Sequence, residues 1–66
     1  MPTYRALVVR FLDVPKKLYL ATFESEERAV DEAKKKLVEL NGDAAVVSII
    51  QGGETKVIHR FDRHEA

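Results

Sequence analysis

Hydrophobic positions recur with two different spacings along this chain, and the change of spacing divides it into elements. From Thr3 to Leu12 most positions are β-branched, aromatic or aliphatic (Tyr4, Leu7, Val8, Val9, Phe11), which predicts a strand. Asp13-Val14-Pro15-Lys16 carries turn chemistry, because proline offers no ladder donor and an aspartate side chain can cap nearby amides. Lys17 to Phe23 resumes the strand pattern. The two runs predict a hairpin pairing Phe11 with Leu18, Val9 with Leu20 and Leu7 with Thr22.

The spacing then lengthens. Val30, Ala33, Leu37 and Leu40 recur every three or four residues and form one helical stripe. Ser25 is placed to act as the N-cap through its hydroxyl, and Glu26 and Glu27 suit the positive end of the helix dipole. Lys34, Lys35 and Lys36 lie toward the other end, and Asn41-Gly42 closes the helix, with Gly42 expected in the left-handed conformation. Two further β-prone runs follow, Ala44 to Gln51 and Glu54 to Arg63, joined by Gly52-Gly53, a dipeptide suited to a primed turn. That turn pairs Ile50 with Thr55, Ser48 with Val57, Val46 with His59 and Ala44 with Phe61. His64-Glu65-Ala66 reads as a frayed tail.

The expected fold is α+β in the order β-β-α-β-β, as a single domain over residues 1–66 with no repeat or linker. One amphipathic helix packs on one face of a four-stranded, mainly antiparallel sheet. The simplest sheet sets the first strand beside the third. The alternative sets the first strand parallel to the fourth.

Alternation along the strands defines two faces. Beneath the helix the pattern is expected to place Leu7, Val9, Phe11, Leu18, Leu20, Val46, Ile50, Val57 and Phe61. The opposite set contains Tyr4, Val8, Arg10, Tyr19, Val47, Ile49, Lys56, Ile58 and Arg60, with Ala6, Ala21, Phe23 and Ala45. Both sets are strongly apolar, whereas one helix covers one face. An apolar patch of several hundred Å2 is therefore expected to remain uncovered, a size that marks an interaction surface.

Composition sharpens this expectation. A 66-residue chain buries only about 60% of the surface it exposes when unfolded, so a lone copy is marginal. Cysteine is absent, which removes disulfides and thiolate metal sites as sources of stability. Association with a second copy or with another protein is the expected remedy, through Tyr4, Val8, Arg10, Tyr19, Val47, Ile49, Ile58 and Arg60. Pairing of strand edges into a continuous sheet is a variant of the same idea. Lys plus Arg and Asp plus Glu each number 11, so no global field draws the chain to a polyanion. A local nucleic-acid surface remains as an alternative, with Tyr4 and Tyr19 stacking bases while Arg10, Lys56 and Arg60 meet phosphates.

Catalytic, metal and cofactor chemistry find little footing. Ser25 is explained by capping and Ser48 by a strand position, and neither has a neighbouring histidine in sequence. His59, Asp62, His64 and Glu65 could all ligate a cation, but their spacing matches no zinc pattern. Gly52-Gly53 has no following helix to cradle a phosphate. The apolar run Ala44 to Ile50 is too short to span a membrane, and the N-terminal residues lack the features of a signal peptide. The expectation is a non-catalytic cytoplasmic protein without cofactor or metal.

Overall fold

A computed structural model describes residues 2–11 and 15–63. The elements follow the expected order: β1 (Thr3–Phe11), β2 (Pro15–Phe23), α1 (Glu26–Glu39), β3 (Ala44–Gln51) and β4 (Glu54–Asp62). All neighbouring strands are antiparallel in the order β2-β1-β3-β4, so the first strand lies beside the third and not beside the fourth. Leu12, Asp13, Val14 and the expected tail 64–66 lie outside the described residues.

Register departs from expectation in both hairpins: in the first because pairing begins at Phe11 and Pro15 and a bulge follows, in the second because of a bulge alone. Leu7 pairs with Leu20 and Val8 with Tyr19, but Val9 pairs with Lys17, which leaves Leu18 as an extra residue in β2. Pro15 and Lys16, expected in the turn, pair with Phe11 and Arg10 instead. In the second hairpin Ile50 meets Thr55 and Ser48 meets Val57 as expected, with Gly52 and Gly53 at φ 60° and 80° in the turn. Ile58 is then extra, so Val46 meets Arg60 and Ala44 meets Asp62. Each bulge adds one residue to an outer strand and shifts its alternation from that point.

The helix ends differ in detail from the expected caps. Ser25 is extended (φ −122°, ψ 134°) and its hydroxyl makes no capping bond. Its carbonyl accepts from the Ala29 amide at 3.1 Å. At the other end Asn41, not Gly42, takes the left-handed conformation (φ 55°). The Asn41 amide donates to Val38 O at 3.2 Å and the Gly42 amide to Leu37 O at 2.9 Å, the paired bonds of a Schellman motif. Gly42 is required for space: a Cβ there would stand 2.6 Å from Val8 Cγ1.

Asp43 closes this end of the sheet. Its amide donates to Val9 O at 2.9 Å, its carboxylate accepts from the Phe11 amide at 2.6 Å, and its carbonyl accepts from the Arg63 amide at 3.0 Å. The Arg63 guanidinium donates to Asn41 Oδ1 and lies 3.9 Å from Asp43 Oδ1. One residue thus ties the end of β1 to the start of β3 and the end of β4.

The core lies between α1 and the face carrying Ala6, Val8, Ala45 and Val47, all fully buried together with Ala29 and Ala33, while Leu37 is almost so. Tyr4, Leu18, Tyr19, Phe23, Val30, Ile58 and Phe61 pack around this cluster. The expected assignment of faces is therefore reversed for most positions. Leu18 and Phe61 are exceptions and pack beneath the helix as expected. Leu40, expected in the helix stripe, is 37% exposed, and Ala29 takes its place in the core. The physical cause is size. Alanine at Ala6, Ala45, Ala29 and Ala33 lets helix and sheet approach closely, and the bulkier aliphatic set would hold them apart.

Candidate functional site

Sheet pairing places the uncovered side chains in rows that cross the strands. Leu20, Leu7, Val46 and Arg60 form the middle row. Lys17, Val9, Ala44 and Asp62 form the row toward Asp43. Thr22, Arg5, Ser48 and Val57 form the row on the other side. Phe11 and Ile50 extend the apolar surface at opposite ends by strand alternation. Leu20 is 47% exposed, Phe11 54% and Val57 58%, with Leu7, Val9 and Val46 half-buried between them. Such bulky apolar side chains on a solvent face are unusual for an antiparallel sheet, which normally turns polar residues outward.

The face has relief and charge. Ala44 and Ser48 are 2% and 3% exposed and form two low points between taller neighbours. Arg5 stands beside Ser48 and Thr22, and its Nε is buried without a hydrogen-bond partner. A buried donor without an acceptor is costly, and the neighbouring apolar side chains do not offset that cost. Lys17 and Arg60 supply further positive charge near the two outer edges, while Asp62 supplies negative charge and takes part in interactions within its own chain.

Of the eight residues expected at the interface, only Arg60 lies on this face. Val8 and Val47 are fully buried under the helix. Tyr4, Tyr19 and Ile58 pack against the core cluster. Ile49 pairs with Tyr4 and shares the helix side, and Arg10 follows Val8 on that side by alternation. Lys56, opposite Ile49, belongs there too. The nucleic-acid set is split in the same way: Tyr4 and Tyr19 are committed to the core, and Phe11 is the aromatic residue on the open face among those described. Leu7, Val9, Phe11, Leu20, Val46, Ile50 and Val57, expected beneath the helix, lie on the open face instead. The alanines Ala6, Ala21 and Ala45 were the signal that could have placed them.

The helix side carries a separate polar cluster. His59 Nε2 lies 3.3 Å from Glu26 Oε1, and its ring stacks on Phe61 with centroids 5.9 Å apart and planes 8° from parallel. Lys34 Nζ stands 4.9 Å over the Phe61 ring, and Lys36 Nζ 5.6 Å from the centre of Tyr19. These contacts fasten α1 to the outer strands β4 and β2. Ser48 and His59 project from opposite faces of the sheet and so do not form a nucleophile–base pair. A shallow groove at the start of the helix is lined by Thr3, Thr22, Phe23, Glu24, Ser25 and Arg28, with no histidine to activate the serine. Among the described residues no three His, Cys, Asp or Glu side chains gather to hold a metal ion, and His64 and Glu65 lie outside them. No helix among the described residues is long and apolar enough to cross a membrane. No protein-family model, no curated protein and no solved structure matches the chain.

Proposed function

We propose that this is a non-catalytic interaction protein that associates through its open sheet face, with a second copy of itself or with another protein. One observation carries the reading: Leu20, Phe11 and Val57, each about half exposed, surround Leu7, Val9 and Val46 on a face that the helix does not cover. Apolar area left in water contributes nothing to folding, whereas removing it from water yields about 25 cal/mol per Å2. The chain is short and without cysteine, so the same contact also supplies stability to the fold. Base stacking has weaker support, because the two tyrosines that suggested it face the helix.

Leu20→Asp tests the reading at an exposed position of the face. Sedimentation equilibrium across a concentration series is expected to show association of the parent chain and a monomer for the variant, with the same far-UV circular dichroism. Unchanged association in the variant would end the reading. A parent chain monomeric at every concentration would remove the self-association arm.

A further inference from the structure

We infer that the occupant of the open face is a second copy of this chain, related by a two-fold axis that runs along the strands between β1 and β3. The inference rests on the proposed use of that face and adds the partner and its orientation.

Edge-to-edge pairing is disfavoured first. Both outer strands carry a bulge, at Leu18 in β2 and Ile58 in β4, and bulged edges resist continuation of a sheet. The open face remains. Four strands about nine residues long give it roughly 30 by 20 Å, about 600 Å2 in projection and more once side-chain relief is counted. Specific interfaces bury about 800 Å2 per partner, so the face suffices only when it is covered whole.

Two symmetric ways exist to cover it with itself. With the axis across the strands, each strand lies over its own copy and the rows reverse. Arg60 then meets Arg60, Arg5 lies over Val9, and Lys17 lies over Thr22. With the axis along the strands, β1 lies over β3 of the other copy, β2 lies over β4, and the rows are kept. Leu7 then meets Val46, Val9 covers the low point at Ala44, and Arg5 reaches the low point at Ser48. Lys17 of each copy faces Asp62 of the other, twice over, and Arg60 lies over Leu20, along which its aliphatic stem can pack. This arrangement sets large against small and positive against negative. The crosswise arrangement opposes like charges instead.

The absence of cysteine makes the axis measurable, because Gln51→Cys carries a single spin label at the exposed end of β3. Pulsed electron paramagnetic resonance is expected to give a distance of about 20 Å between labels for the lengthwise axis, against about 35 Å or more for the crosswise one. The charge pair is tested separately: Lys17→Asp and Asp62→Lys should each weaken dimerisation about threefold to tenfold, and the double exchange should restore it. A dimer with the long distance would overturn the orientation and leave the proposed function standing. A dimer indifferent to both charge variants would overturn the Lys17–Asp62 contact. A chain that never dimerises, with an open face that still binds apolar dye, would overturn the second copy as occupant.

Discussion

Both faces of this sheet carry apolar residues at their centre, yet they have opposite fates. The covered face is small at its centre: Ala6, Ala45 and Ala21 stand among Val8 and Val47, and the facing helix presents Ala29 and Ala33. The open face carries Leu7, Leu20, Val9 and Val46, which are larger on average. At these central positions hydrophobicity alone would bury the second set first. Close packing selects the first, because a helix backbone can approach a sheet only where few methyl groups stand between them. The difference teaches that a helix chooses the face it fits, and that large aliphatic side chains at the centre of the other face can be left for association.

The sharpest way to break the comparison uses adjacent residues of one strand. Val47→Asp places a carboxylate in the closed core and is expected to cost on the order of 4 kcal/mol, enough to unfold a chain of this size. Val46→Asp, one position away, is expected to change monomer stability by no more than about 1 kcal/mol while abolishing association. Urea unfolding followed by circular dichroism measures both at low concentration, and equal losses would erase the distinction between the faces. Next in size is Gly42→Ala. Its Cβ would press on Val8 and Leu37 beneath the helix, a clash expected to cost about 1–3 kcal/mol in the same experiment. The smallest effect belongs to the exposed margin of the covered face. Lys34→Ala removes the cation over Phe61 and is expected to cost about 0.5 kcal/mol, with a double-mutant cycle through Phe61→Leu to isolate the pair.

Element types were legible because local signals agree with them, whereas the sequence left β1 open to pairing with either β3 or β4, and the structure sets it beside β3. Glu26 and Glu27 open the helix, Asn41-Gly42 ends it, and Gly52-Gly53 turns the last hairpin with both residues at positive φ. The face was not legible from alternation, because both alternate sets of β1 and β3 are apolar, and bulges at Leu18 and Ile58 also change the parity of β2 and β4 partway along each strand. Nothing at these positions announces an extra residue: both are ordinary strand formers. The existence of an apolar surplus survived this error, since it depends on two apolar faces and one helix. The identity of the exposed residues did not, and Arg60 alone was placed correctly among those named.

The central pairing has a kinetic consequence. Each hairpin closes through a short connection, and α1 can begin from its own sequence, but Val9 meets Ala44 and Thr3 meets Ile50 only when the two halves come together. Local turns and helices form in microseconds, whereas contacts distant along the chain must first overcome the entropy of loop closure. Refolding is therefore expected to be limited by the joining of one hairpin to the other. The strand pair at the middle of the finished sheet is the last to be assembled.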